Sequence, residues 1–217
     1  MVRAKVGVLI SGRGSNLKAL IDAAAAPDFP AEIALVISNR PKAEGIAHAS
    51  NAKIPLEVID HKDFQSREDF DDALTAALEA ASVDYICLAG FMRLLSNGFV
   101  ERWRGRLINI HPSLLPSFKG INVHERMIDA GVKLAGCTVH FVTSDVDEGP
   151  IIGQAAVPVA PGDTAETLAA RILVEEHKLY PACLRLIADN KARVSGNSVV
   201  IDTDAAASDG SLSNPVT

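Results

Sequence analysis

Short apolar runs recur along this 217-residue chain, spaced widely enough to leave room for a helix between them. Val6–Ile10, Glu32–Ser38, Leu56–Ile59, Tyr85–Ala89 and the run opening at Leu107 read as buried strands. The intervening segments carry helical periodicity. One helix follows Leu17 into the alanines at 23–26, and one spans about 42–52 with Pro41 suited to its first turn. A third covers Asp63–Ala81, with Phe64, Phe70, Leu74 and Leu78 near one face. Ser96 is placed to cap a short helix carrying Phe99 and Val100. Strand and helix alternating through five strands is the signature of a doubly wound parallel sheet.

After Pro116 the pattern changes. Residues 117–123 read as a loop and His124–Ala130 as a short helix ended by Gly131. Leu134–Val142 and Ile151–Val159 are then joined by only Thr143-Ser144-Asp145-Val146-Asp147-Glu148-Gly149-Pro150. A connection that short implies an antiparallel hairpin rather than a crossover. Asp163 and Glu166 have capping-box spacing at the head of a helix running from Thr164 towards Leu179. Pro181 is expected to bend or break that helix, with Leu184–Ala188 resuming it. Val194–Ile201 reads as a terminal strand or hairpin. From Asp202 the chain is nearly devoid of apolar residues and reads as disordered. The expectation is one α/β domain over 1–201: a doubly wound, mostly parallel sheet with a C-terminal antiparallel hairpin added to it.

Candidate chemistry sits where these strands end, which is where open α/β sheets place ligands. In Leu107–Pro116, Asn109 and His111 are two residues apart on a strand, so their side chains share one side. Pro112 then stops the ladder. Taken alone, this stretch fits an ordinary core strand with a hydrogen-bonded histidine somewhat better. The first strand runs into Ser11-Gly12-Arg13-Gly14-Ser15-Asn16 and a helix start. Glycines that let backbone approach, together with free helix-start amides, suit one phosphate, although a plain capped turn fits the local sequence as well. Gly90–Leu95, straight after the Tyr85–Ala89 strand, could line a pocket for a flat heterocycle or could be core. Asp147 in the hairpin connection could reach back to His111 if the hairpin joins the same sheet. An amide, an imidazole and a carboxylate suit acyl transfer between two bound molecules, with the amide and imidazole facing an oxyanion and the carboxylate orienting the ring.

Composition narrows the class. The chain is 48% hydrophobic with a net charge of −6, so nothing overall favours nucleic acid. The three cysteines, Cys87, Cys137 and Cys183, have no metal-ligand spacing and read as reduced thiols. No H-E-x-x-H or similar spacing calls for a metal. No apolar run approaches the roughly 20 residues a membrane span needs. The expectation is a cytoplasmic globular protein, monomer or homodimer, with no metal.

Four motifs in order carry a resemblance: Ile10-Ser11-Gly12-Arg13-Gly14-Ser15-Asn16-Leu17, Leu88-Ala89-Gly90-Phe91-Met92-Arg93-Leu94-Leu95, Asn109-Ile110-His111-Pro112-Ser113-Leu114-Leu115-Pro116 and Val139-His140-Phe141-Val142…Asp147-Glu148-Gly149-Pro150. Together they resemble the phosphoribosylglycinamide formyltransferases, folate-dependent enzymes of purine biosynthesis, over roughly residues 5–190. The resemblance implies a Rossmann-like formyltransferase fold. It implies formyl transfer from 10-formyltetrahydrofolate, as co-substrate, to glycinamide ribonucleotide, with Asn109, His111 and Asp147 catalytic. It implies ribonucleotide contacts at Gly12, Arg13, Gly14, Ser15, Asn16 and Glu176. For folate it implies Arg67, Met92, Arg93, Leu94, Leu95, Asn109, Val142 and Asp147. On the residues alone, Arg67 could equally be a solvated charge. Residues 1–100 would then hold the ribonucleotide phosphate, and 101–190 the catalytic and folate-binding parts.

Two features depart from the family pattern: Arg13 between the glycines, and Ser117-Phe118-Lys119-Gly120, where many relatives have a proline before the glycine. Formyltetrahydrofolate hydrolases share the catalytic group but usually carry an additional N-terminal domain, and here the first strand begins near residue 5. Methionyl-tRNA formyltransferases add a C-terminal RNA-binding domain. A non-catalytic nucleotide-binding module is the remaining alternative, and it would have no use for the Asn109, His111 and Asp147 set. Val142–Gly149 is the loop expected to move on folate binding.

Overall fold

The computed structural model describes residues 2–202. The disorder expected from Asp202 onward therefore falls, beyond that residue, outside the described residues. The chain divides into two compact units. One comprises the residues up to Asn109 with Phe141–Ser144, and the other Ile110–His140 with the chain from Asp145 onward. Hydrogen-bonded strands follow the order β3-β2-β1-β4-β5-β6-β7, with β8 and β9 forming a separate pair. Here β1 is Ala4–Ile10, β2 Ala31–Ser38, β3 Leu56–Val58, β4 Tyr85–Leu88, β5 Leu107–His111, β6 Leu134–Phe141, β7 Ile151–Pro158, β8 Ala192–Ser195 and β9 Ser198–Ile201.

In the first unit β1 pairs in parallel with both β2 and β4, β2 with β3, and β4 with β5. Helices α1 (Ser15–Ala24), α2 (Ile46–Asn51), α3 (Arg67–Ala80) and α4 (Asn97–Arg102) complete it. Phe70, Leu74 and Leu78 fall at i, i+4 and i+8 on α3 and are buried with Leu9, Ile37, Ile86, Trp103 and Leu107 in one cluster, as the 3.6-residue period dictates. Two helix starts differ from the expected ones. α3 begins at Arg67, not Asp63, because the Ser66 hydroxyl accepts the Asp69 amide and caps it there. Residues His61–Asp63 form their own 3-10 turn, capped by Asp60. Phe64, extended between the two, meets Phe70 edge-on at 5.6 Å. α2 begins at Ile46 rather than near 42, because the Gly45 amide donates to Gly12 O at 2.9 Å and ties the preceding turn to the loop after β1.

In the second unit β6 and β7 pair antiparallel, with a register shift between Val139 and His140. The connection is thus the hairpin that the sequence implies, with β7 as the last strand of the order. β8 and β9 form the terminal hairpin. Helices α5 (Val123–Asp129) and α6 (Ala165–Ala188) contribute Val123, Met127, Leu168 and Ile172 to a core with Ala135, Cys137 and Val157.

Helix α6 runs unbroken through Pro181. An interior proline costs about 3 kcal/mol. Leu184 and Ile187, buried beyond the proline, contribute roughly 1.5–3 kcal/mol each, and continuing the helix is what keeps them on the core-facing side. Its capping box uses Thr164 and Thr167 rather than Asp163 and Glu166. Asp163 instead receives Arg171 at 2.8 and 2.9 Å and the Ala160 amide at 2.7 Å. The Arg171 guanidinium thereby holds the Asp163 carboxyl well below the usual carboxylate range.

Candidate active site

The end of β1 makes the glycine loop. Gly14 sits in the left-handed region at φ 73° and serves as N-cap of α1 without any side-chain capping hydrogen bond. The helix start is therefore not claimed by a cap, and an anion can meet its amides. A β-carbon on Gly14 would stand 2.6 Å from Gly45 Cα, and one on Gly45 would stand 2.8 Å from Ile10 Cδ1. The loop is thus pressed backbone to backbone against the turn before α2. Gly12 has open space where a β-carbon would go, and Gly12 and Arg13 are exposed while Asn16 is buried. Arg13 makes the exposed position between the glycines a positive one.

Ser11 lies beneath this loop, 2% exposed. Its hydroxyl donates to Asn39 Oδ1 at 2.6 Å and accepts the Met92 amide at 2.8 Å. Of the residues expected to meet folate in this unit, Met92, Arg93 and Leu94 are exposed, while Leu95 and Val142 are half-buried against the core cluster. Arg67, the first residue of α3, is exposed. It lines a cleft of about 600 Å³ with Asp71, Asn97 and Arg102, and none of the other expected folate contacts lines that cleft. Asn109 is half-buried on β5.

The second unit brings His111 and Asp147 together. His111, the last residue of β5, is 6% exposed. Its Nδ1 lies 3.4 Å from Asp147 Oδ2, and its Nε2 lies 2.9 Å from the Phe118 carbonyl. Each ring nitrogen faces an acceptor, so a doubly protonated ring donates to both. The Gly120 amide donates to the same Asp147 Oδ2 at 2.9 Å, and Lys119 Nζ meets Glu148 at 2.6 Å. The segment Phe118–Gly120 therefore contacts both members of the pair. Phe118, Asn122 and Asp147 adopt positive φ of 54°, 53° and 55°, tight-turn geometry rare for residues with a β-carbon.

The loop after His111 is braced from below. Thr138 Oγ1 donates to Ser113 O at 2.7 Å and accepts the Leu115 amide at 3.0 Å, and Gln154 Nε2 reaches Leu115 O at 2.9 Å. His140 Nε2 lies 3.8 Å from Asp147 Oδ1, and it sits at the register shift in β6, a device that re-aims side chains. Burial depresses the His124 pKa, opposed by Glu125 and reinforced by His111. Glu176 is buried on α6, where its charge adds to the burial that pushes the Cys137 thiol up to about 12. Among the described residues no group of three or more His, Cys, Asp or Glu could hold a metal ion, and no helix is long and apolar enough to cross a membrane.

Sequence reasoning anticipated the approach of Asp147 to His111. It missed Ser11 and Asn39, the Phe118 carbonyl, the Gly120 amide and His140. A polar residue directly after an apolar strand, as at Ser11 and Asn39, is the one signal that pointed to them.

The formyl transferase family matches residues 4–184, and the chain belongs to that family. A phosphoribosylglycinamide formyltransferase from Haemophilus influenzae is 42% identical over 201 residues, covering 93% of this chain and 95% of that protein. The crystal structure of glycinamide ribonucleotide transformylase 1 from Symbiobacterium toebii matches with a TM-score of 0.90 at 47% identity, covering 92% of this chain and 94% of that one. Within the family, these near-full-length matches group the chain with the phosphoribosylglycinamide formyltransferases. The trifunctional purine biosynthetic protein adenosine-3 from Bos taurus is 54% identical over 90% of this chain, which spans 19% of that longer protein's length.

Proposed function

We propose that this chain transfers the formyl group of 10-formyltetrahydrofolate to the amine of glycinamide ribonucleotide, giving formylglycinamide ribonucleotide and tetrahydrofolate, a step of de novo purine synthesis in the cytoplasm. The pairing of His111 with Asp147 carries this reading, on a chain similar over its length to enzymes named for that reaction.

The ribonucleotide phosphate binds the amides of Gly14, Ser15 and Asn16, with Gly12 leaving room and Arg13 adding charge, and Glu176 meets the ribose. The folate lies along Met92–Leu95 and Val142, with Arg67 at its charged end. The ribonucleotide amine attacks the formyl carbon and the carbonyl oxygen takes up the negative charge. Asn109 and the His111 imidazolium donate hydrogen bonds to that oxyanion, each such donor being worth about 100- to 1,000-fold in rate. Nδ1 faces Asp147, so Nε2 is the donor, and it exchanges the Phe118 carbonyl for substrate. The C–N10 bond then breaks, the attacking nitrogen loses a proton and N10 gains one, with the imidazole as shuttle. Asp147, 3.4 Å from Nδ1, keeps the ring oriented. No step calls for a metal.

The test is a spectrophotometric assay of 10-formyltetrahydrofolate with and without glycinamide ribonucleotide. Folate product that appears only with the amine is the expected result. Equal product without it would mark a hydrolase, and no product from folded protein a binding module.

A further inference from the structure

Three adjacent parallel strands, β2, β1 and β4, end side by side in the first unit, and one hydroxyl ties together the three segments that leave them. Ser11 comes directly after β1, Asn39 directly after β2, and Met92 lies in the segment after β4. Ser11 donates to Asn39 Oδ1 at 2.6 Å and accepts from the Met92 amide at 2.8 Å. Asn39 is fully buried, and its carbonyl and side-chain amide lie 3.0 and 3.3 Å from His61 Nδ1. The Asn39 amide is itself held by Ile10 O at 3.2 Å. This end of the chain of contacts is therefore fixed to the sheet.

The other end is not part of a strand. Beyond Ala89, whose amide still bonds Leu9 O at 2.9 Å, Gly90 turns through φ 72° and Met92 and Leu94 are 66% and 59% exposed. Phe91 packs parallel to Phe70 at 6.4 Å, which leaves the backbone direction of the next residues to be set by the Met92 amide. The Ser11 hydroxyl, 2% exposed, gives one hydrogen bond and takes one, and so defines both directions.

We infer that Ser11 is a positioning residue for folate: from the turn that leads into the ribonucleotide loop, its hydroxyl fixes the Met92 amide and so aims the backbone of Met92–Leu95 at the flat heterocycle. Ser11 itself touches neither substrate. This rests on the formyl-transfer reading above for what occupies the Met92–Leu95 segment. Folate affinity then depends on a side chain that belongs to the ribonucleotide side of the sheet, and replacing it acts on folate through backbone geometry alone.

The experiment is calorimetric titration of the full chain with tetrahydrofolate, and separately with glycinamide ribonucleotide, for the parent, Ser11→Ala and Ser11→Thr. Ser11→Ala is expected to weaken tetrahydrofolate binding about 3- to 10-fold, the net worth of one hydrogen bond, while ribonucleotide affinity stays within about twofold on the same scale. Ser11→Thr, which keeps the hydroxyl, is expected to restore folate affinity. Unchanged folate affinity in Ser11→Ala, or equal weakening of both ligands, overturns the inference. Should Ser11→Ala fail to fold, amide hydrogen exchange of the unliganded parent decides. A protected Met92 amide supports the tie and exchange at the free-peptide rate refutes it. A parent that binds neither ligand counts instead against formyl transfer, and Met92 protection still decides the role of Ser11.

Discussion

Asp147 Oδ2 lies 3.4 Å from His111 Nδ1 and accepts the Gly120 amide at 2.9 Å. The carboxylate that orients the ring is thus itself oriented by backbone rather than by a flexible side chain. Asp147→Asn keeps an oxygen beside both nitrogens but removes the negative charge next to the ring. It is expected to lower kcat by about 100-fold or more, the scale of general acid–base catalysis, with KM for both substrates little changed. His111→Ala is expected to lose at least as much while still binding folate, measured by steady-state kinetics beside calorimetry. A His111→Ala protein with parental turnover would remove the ring from the mechanism.

The two loop glycines separate folding from binding. Gly14 has positive φ and its β-carbon would meet Gly45 Cα at 2.6 Å. Gly14→Ala should therefore lower stability by about 1–2 kcal/mol from the left-handed backbone alone, with the clash adding to it, seen as a lower Tm. A β-carbon on Gly12 meets nothing within 4 Å. Gly12→Ala should leave Tm unchanged and raise KM for glycinamide ribonucleotide. If KM also stays put, the phosphate does not sit against Gly12.

Asp71 carries a pH signature. It is 2% exposed and its Oδ2 accepts the Ser96 amide at 2.6 Å. Burial raises its pKa above the ordinary 3.8, against the lowering effects of the Ser96 hydrogen bonds and Arg67. A raised carboxyl binds more protons folded than unfolded, so its contribution to stability is fullest at low pH and is lost as pH rises through the folded pKa. Asp71→Asn keeps the acceptor and removes the buried charge, so its Tm advantage over the parent should grow from pH 4 to pH 8. Asp71→Ala strands the Ser96 amide and should cost about 1–3 kcal/mol. A Tm difference between Asp71→Asn and parent that is flat with pH would contradict this account.

Cys137 and Cys183 are buried, and burial first, then neighbouring charge, pushes each thiol up to about 12. Cys87 is buried as well. The thiolate is the reactive form, so the folded chain should resist iodoacetamide at neutral pH and label at all three cysteines once denatured. Stoichiometric labelling of folded protein would show an opening that the structure does not contain.

Much of this was legible in the sequence because local pattern and tertiary role coincide. Apolar strands spaced for a helix between them and a connection too short for a crossover each have one structural outcome. What stayed hidden was set by partners distant in sequence. The start of α2 depends on Gly12, thirty-odd residues earlier, accepting the Gly45 amide. The Asp163 side chain left the helix cap for Arg171. The break expected at Pro181 is absent because Leu184 and Ile187 are buried beyond it. Hydrogen bonds that end on backbone, such as those of Phe118 and Gly120 to the His111–Asp147 pair, leave no mark on residue identity at all.

The contact between Gly14 and Gly45 has a consequence for anyone seeking to re-engineer the loop. Neither position accepts a side chain while the other holds its place, so a library that varies them one at a time samples only losses. Arg13, exposed between the glycines, and Gly12, with open space for a β-carbon, are left open to variation. New anion preferences are therefore reached through the charge at residue 13 or through coordinated redesign of both turns together.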